Sequence, residues 1–292
     1  MRILFIVNPV SGMGWGKELP GKLRSMPEYR EVAYDIEYTQ HAGHGRALVE
    51  AARKSGNYTH IVAVGGDGTV NEVGTALFGS DIAFAVVSLG SGNGFARHLG
   101  YSQFIKKALR QLLTGVSVYV DVLEINDLYS LNVSGVGFDA EIAHEFNTLK
   151  IRGIFSYVYA GMKRWFRYSE KRYTITFNGK TVQEDCFILS FANASQYGNN
   201  VNIAPHASLT DGLVNICLLK RPTFWSVTSF LFYLLNRRLD KFKYFKELQC
   251  REAVIEGDIH KVHIDGEAVI MHSPIRLKVH REALKIILPK HI

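Results

Sequence analysis

Ile61-Val62-Ala63-Val64-Gly65-Gly66-Asp67-Gly68-Thr69-Val70-Asn71-Glu72-Val73 is the stretch that decides the fold. Ile61 to Val64 have the make-up of a buried strand, β-branched and without a polar break. Gly65, Gly66 and Gly68 then surround the only acid of the turn, Asp67. Glycine tolerates positive φ and lets another backbone or a ligand approach closely. Thr69 and Asn71 lead into Glu72-Val73, where a helix is expected to begin. The unpaired N–H groups of a helix start, at the positive end of its dipole, suit a phosphate. An acid held there suits a Mg²⁺ ion or a hydroxyl proton. A plain strand-to-helix turn of any α/β protein has the same look, so this stretch needs support from elsewhere.

That support comes about 25 residues later. Ile82 to Val87 is another apolar strand, and it runs into Ser88-Leu89-Gly90-Ser91-Gly92-Asn93-Gly94-Phe95-Ala96-Arg97. Two glycine-rich turns in successive strand–helix units lie at the same carboxyl edge of a parallel sheet, where they can flank one ligand. Asn93 offers an amide to a phosphate or base, and Arg97 either neutralises phosphate charge or is merely exposed. Upstream, Ile3 to Val7 is a first strand, ended by Asn8-Pro9. The following loop misses both nucleotide fingerprints: Ser11 and Glu18 break the Walker pattern, and Lys17 replaces the last glycine of the Rossmann pattern. It can still hold phosphate through Ser11, Gly12 and neighbouring amides. A helix is expected near Lys17. Residues 32–38 alternate like a strand with one wet face, Thr39 ends it, and Gly43 to Arg46 open a helix.

Past residue 117 strands dominate. Tyr129 to Val136 reads as one strand. Tyr173 to Phe177, Asn178-Gly179 and Lys180 to Val182 give a strong hairpin signal, because Asn-Gly suits a type I′ turn. The fold class is therefore α/β: an N-terminal parallel-sheet nucleotide-binding domain, residues 1–121, followed by a mostly antiparallel β-sandwich domain, residues 122–292, with a return of the last residues to the first domain left open. Two segments expected to be helical interrupt the sandwich, Asp139 to Tyr168 and Phe224 to Tyr244.

The chain has 292 residues, 47% hydrophobic and 21% charged, within the range of a soluble globular protein. No apolar window is long enough to span a bilayer, and the start turns polar too soon for a signal peptide. Cys186, Cys217 and Cys250 lack metal-ligand spacing, so a reduced, cytoplasmic compartment is the simplest reading. The net charge is +7, yet residues 150–172 alone carry +6 and residues 220–251 another +6. Both segments place aromatic and aliphatic residues beside Lys and Arg, the pattern of an element lying in an anionic membrane interface. Helices capping the sandwich, their aromatic face in the core, are the plainer alternative.

The two glycine-rich turns, with Gly135 to Ala140, Ala204 to Leu213 and Ile264-Asp265-Gly266-Glu267, resemble the diacylglycerol kinase catalytic family, which includes bacterial lipid kinases and sphingosine kinases. The resemblance spans the chain in order. It implies an α/β nucleotide-binding domain and a β-sandwich that contacts lipid, with the active site between them. It implies ATP and Mg²⁺ as cofactors and, as acceptor, the primary hydroxyl of a membrane lipid such as diacylglycerol or a sphingoid base. Asn8, Ser11, Thr39, Gly66, Gly68, Thr69, Glu72, Ser91, Gly92 and Asn93 match nucleotide-cradling positions. Asp67 and Asp265 match acids of Mg²⁺-ATP handling and hydroxyl activation, and Glu267 a position near the nucleotide. Asp211 matches a structural Mg²⁺ position, with Asp265 also named as a metal candidate. Asp139 and Glu141 fall where the family contacts the lipid headgroup.

Ser91-Gly92-Asn93-Gly94 departs from the Thr-x-Asn-Asp of bacterial diacylglycerol kinases towards the sphingosine-kinase pattern, which leaves the acceptor open. Which Asp takes the proton is open too, and Asp265-Gly266 read alone is a plain hairpin turn. The expected partners are a lipid substrate and the inner membrane surface, with no nucleic acid; a homodimer is left open. An NAD-kinase-like soluble nucleotide kinase and a catalytically silent nucleotide or lipid-binding regulator are the alternatives.

Overall fold

The structure, a computed structural model, describes residues 1–148, 165 and 167–290. It divides into two compact units: Met1–Asp121 with Arg281–Ile292, and Val122–His280. The chain leaves the first unit within one strand and returns to it within another.

The first unit is built on parallel strands. These are β1 (Arg2–Val7), β2 (Ala33–Tyr38), β3 (His60–Gly65) and β4 (Ala83–Ser88), in the spatial order β2-β1-β3-β4. The end of the chain's last strand, Ile275–Leu288, adds to β4 in parallel, with Ile286 opposite Phe84. Ile61 to Val64 and Phe84 to Val87 are buried, as continuous apolar runs in a two-sided parallel sheet require. The connecting helices are α1 (Leu19–Arg24), α2 (His44–Ser55), α3 (Asp67–Ala76), α4 (Gly94–His98) and α5 (Ile105–Thr114). Strand order reverses between β1 and β3, and open α/β sheets bind ligands outside the carboxyl ends at such a switch point.

Two helix starts differ from the sequence expectation. α3 begins at Asp67, five residues before Glu72, with Gly66 as its extended N-cap. Gly68 does not delay it, because first-turn N–H groups have no intrahelical partner to lose, and Asp67 complements the dipole. The loop after Asn8 winds as a 3-10 turn over Ser11–Glu18, so α1 starts at Leu19, with Pro20 in its first turn.

The second unit is a β-sandwich. Its strands are β5 (Val116–Ile125, the strand by which the chain enters), β6 (Leu128–Ser130), β7 (Val133–Gly137), β8 (Lys171–Phe177), β9 (Lys180–Cys186), β10 (Ile188–Ala192), β11 (Gln196–Gly198), β12 (Val201–Asn202), β13 (Val214–Leu219), β14 (Phe245–Cys250), β15 (Glu252–Gly257), β16 (Lys261–Ile264), β17 (Glu267–Ile270) and β18 (Ile275–Leu288). One antiparallel sheet runs β14-β13-β10-β7-β16-β17; the other joins the first part of β18 to β15, β8 and β9. Val136, Phe191 and Ile216 from the one meet Ile175, Ile255 and Leu277 from the other in a single core. The Asn178-Gly179 hairpin forms, with both residues at positive φ.

Tyr129 to Val136 is two strands, because Leu131 and Asn132 turn their N–H groups away from the ladder to the Asp265 carboxylate. The first expected helix is α6 (Phe138–Thr148), and the rest of that segment lies outside the described residues, apart from its last few. The second is shorter than expected. α7 covers only Val227–Leu235, Arg237 takes a positive φ, and the basic run through Lys243 lies beyond the helix. Among the described residues no helix is long and apolar enough to cross a membrane.

Candidate active site

In the first unit, the ends of β1, β2, β3 and β4 bring most of the expected cradle to one sheet edge. The Asn8 N–H donates to Val64 O at 2.9 Å, its Nδ2 to Thr69 Oγ1 at 3.3 Å, and its Oδ1 accepts from Val10 N. Ser11 N donates to Asn8 O, and Thr39 N to Val7 O at 2.9 Å. Gly12 sits at φ +60°, and a Cβ there would fall 2.8 Å from Leu89 O.

The two glycine-rich turns are locked to each other. Leu89 N donates to Gly65 O at 2.7 Å, and a Cβ on Gly90 would stand 2.8 Å from Gly66 Cα. The Asp67 carboxylate accepts the N–H of Asn93 at one oxygen and of Gly94 at the other, both at 2.9 Å. Asn93, at φ +56° and buried, sends its Nδ2 to Gly90 O and Gln103 Oε1. Charge-assisted bonds of this kind are about twice as strong as neutral ones. Asp67 therefore organises the second turn. Gly66 and Gly68 flank it at the start of α3, and Ser91 and Gly92 belong to the turn it holds. Glu72 has a different partner from the one expected: its Oε1 accepts the Arg46 N–H at the start of α2, where an acid is favoured by the dipole. Arg97 Nε is spent on Gly92 O.

In the second unit, Asp265-Gly266 is indeed a two-residue hairpin turn between β16 and β17, with φ of +49° and +92°. It is also the hub of a buried network. Asp265 is 7% exposed, and its carboxylate accepts Ser130 Oγ at 2.6 Å, Leu131 N at 2.8 Å and Asn132 N at 2.9 Å. Asp265 N donates to Ser134 Oγ, which in turn bonds Ser130 Oγ. The side chain of Glu267, just past the turn, is exposed.

Asp139, expected to face a lipid headgroup, has its Oδ2 occupied instead by Tyr197 OH at 2.7 Å and His263 Nε2 at 3.0 Å. Glu141 pairs with Lys261 at 2.8 Å. Asp211 is exposed and caps its own loop, accepting from Leu213 N. Among the described residues no group of three or more His, Cys, Asp or Glu side chains is placed to hold a metal, and both Asp265 oxygens already accept from protein donors. These residues do not fit a resident metal cage. All three cysteines are buried, and burial pushes Cys186 and Cys250 up to about 12 and about 11, away from thiolate formation.

Sequence reasoning missed Ser130, Ser134, Tyr197 and His263. Their only signal was His263, near the end of the strand that runs into the Asp265 turn.

Residues 2–125 match the diacylglycerol kinase catalytic domain, and residues 132–288 match the YegS C-terminal NAD kinase beta sandwich-like domain. The chain belongs to the family of the YegS C-terminal domain, which matches over half of it. Lipid kinase YegS of Escherichia coli (strain K12) is 32% identical over 188 residues, 62% of either chain, and the probable lipid kinase YegS of Shigella flexneri serotype 5b (strain 8401) is equally similar. The match thus spans under two thirds of those relatives' length. A putative diacylglycerol kinase from Bacillus anthracis str. Sterne shares the fold, with a TM-score of 0.78 at 21% identity over 98% of this chain and 96% of that one.

Proposed function

We propose that this chain is an ATP-dependent lipid kinase that transfers the γ-phosphate to the primary hydroxyl of a membrane lipid, a diacylglycerol or a sphingoid base. The observation that carries this reading is the pair of glycine-rich turns at the switch-point edge, locked by Asp67, within a matched diacylglycerol kinase catalytic domain. Backbone N–H groups and glycine surfaces there suit a polyphosphate. Phosphoryl transfer asks the protein mainly for positioning and charge stabilisation. When bound, Mg²⁺ supplies charge neutralisation on phosphate oxygens, and it comes with the nucleotide.

Of the three acids, Glu267 takes the proton. Asp67 and Asp265 each spend their carboxylate oxygens on backbone N–H groups, whereas the Glu267 side chain is exposed at the exit of the turn. The lipid O–H loses its proton to Glu267, its oxygen bonds to the γ-phosphorus, and the bond from that phosphorus to the bridging oxygen breaks to release ADP.

The membrane is the partner. Trp225, Leu231, Phe232 and Leu235 are exposed on and beside α7, at 87%, 47%, 58% and 60%, next to exposed Arg237, Arg238, Lys241 and Lys243. Leu234 and Phe242 face inward. Apolar side chains within a basic rim suit an anionic lipid surface on the cytoplasmic side.

Labelled ATP with mixed vesicles containing diacylglycerol or sphingosine tests the reading. Wild type should label one lipid, and Glu267→Gln should lower kcat at least about 100-fold, the usual worth of a general base. No labelled lipid would refute it. A second reading, phosphorylation of a soluble dinucleotide, draws on the NAD kinase likeness of the C-terminal domain. The same assay with NAD as acceptor separates the two.

A further inference from the structure

The buried polar groups behind the Asp265 turn form a chain that the proposed reaction leaves unused. Tyr197 OH donates to Asp139 Oδ2 at 2.7 Å, and burial pushes its phenol well above the ordinary range, so it stays a donor. Ser190 Oγ lies 2.6 Å from the Tyr197 oxygen. His263 is 2% exposed, with Nε2 at 3.0 Å from the same Asp139 oxygen. Its Nδ1 faces the N–H of Gly266 at 3.3 Å. A backbone N–H only donates, so Nδ1 carries the lone pair and the proton sits on Nε2, pointing at Asp139. The imidazole thus has one tautomer and one orientation, both set from behind.

The position of Gly266 gives this chain its consequence. Gly266 separates Asp265, held by Ser130, Leu131 and Asn132, from Glu267. Asp265 fixes one side of the two-residue turn. The other side, where Glu267 departs, is held through the Gly266 N–H.

We propose that His263 is a positioning residue for the proposed phosphoryl transfer: oriented by Asp139 and Tyr197, it accepts the Gly266 N–H and thereby sets the direction in which Glu267 leaves the turn. This rests on the reading of Glu267 as the proton acceptor. It also gives Asp139 a different role from contact with a lipid headgroup. Misplacing a reacting group by about 1 Å costs on the order of 100-fold in rate without altering ground-state binding.

Two substitutions divide the imidazole into its halves. In His263→Asn the amide oxygen replaces Nδ1 and can still accept from Gly266, while the reach to Asp139 is lost. In His263→Gln the amide nitrogen replaces Nε2 and can still donate to Asp139, while the Gly266 acceptor is lost. Hydrogen exchange of the Gly266 amide, read by NMR on ¹⁵N-glycine-labelled protein, is the first measurement, and it needs no activity. His263→Gln should speed that exchange about tenfold, and His263→Asn should leave it within about twofold of wild type. The second measurement is turnover of labelled ATP on vesicles of diacylglycerol and phosphatidylglycerol, or on sphingosine vesicles if those are what wild type labels. There His263→Gln should lower kcat about tenfold or more at unchanged KM for ATP, and His263→Asn should keep most of kcat.

Equal exchange in the two variants, or equal losses of kcat that follow their thermal stability, would overturn the proposal. If wild type labels no lipid, the kinase reading and the rate effect fall together, and the exchange data still decide whether His263 holds the turn.

Discussion

The two acid-bearing turns use one device for different ends. Asp67 gathers two N–H groups from about 26 residues away, at the start of α4; Asp265 gathers two from about 134 residues away, together with a serine hydroxyl. The first set belongs to a helix start beside the half-buried Asp67, where a phosphate can take the place of a lost acceptor. The second set lies in a packed sandwich, where an abandoned N–H stays unpaired. Losing the same charge should therefore cost more in the second unit than in the first, although both carboxylates look alike in sequence.

Substituting both acids is the sharpest test of that comparison. Asp265→Asn turns an NH₂ towards buried N–H donors and should destabilise the protein by about 3 kcal/mol in chemical denaturation. Asp67→Asn should cost about 2 kcal/mol or less, and ATP should restore part of it, because phosphate oxygens supply new acceptors. Equal costs, with no rescue by ATP, would break the contrast.

Glycine replacements probe the lock between the turns of the first unit. Gly90→Ala drives a methyl to 2.8 Å from the Gly66 backbone, and should lower stability by about 1 kcal/mol and weaken nucleotide binding. Gly66→Ala meets the Gly90 backbone at 3.4 Å, ordinary contact, so its thermal midpoint should move less. The smallest effect on stability is expected on α7. Trp225→Ser with Phe232→Ser should leave the midpoint unchanged while cutting co-sedimentation with anionic vesicles about tenfold. Unaltered sedimentation would remove the membrane assignment from this element.

Sequence periodicity revealed most of the fold. Apolar strands followed by glycine turns made the parallel sheet legible, and the Asn178-Gly179 dipeptide marked its hairpin, because both signals are local. The edge of the first unit was legible in part for the same reason, through Ser11 and Asn93 just past strand ends, whereas Asn8 and Thr69 were pointed to by the family resemblance. The ends of helices were less legible. α3 starts at Asp67, and α7 stops before the basic run, because caps and positive-φ residues decide a helix end, and composition does not report them.

The least legible part was the surroundings of Asp265. Its turn read as a plain hairpin, and as a hairpin it is plain. What makes it special is Ser130, Leu131, Asn132 and Ser134, brought to it across the sheet by the pairing of β7 with β16. Asp139 shows the same limit, since its partners Tyr197 and His263 lie 58 and 124 residues away.

By itself, then, the sequence determined the element types, their order and the two glycine-rich turns, since strand period, turn chemistry and helix starts are set by neighbours in the chain. The tertiary structure decided which acids are spent on holding backbone and which remains exposed. A carboxylate's hydrogen-bond partners come from register between distant strands, and only the folded sheet sets that register.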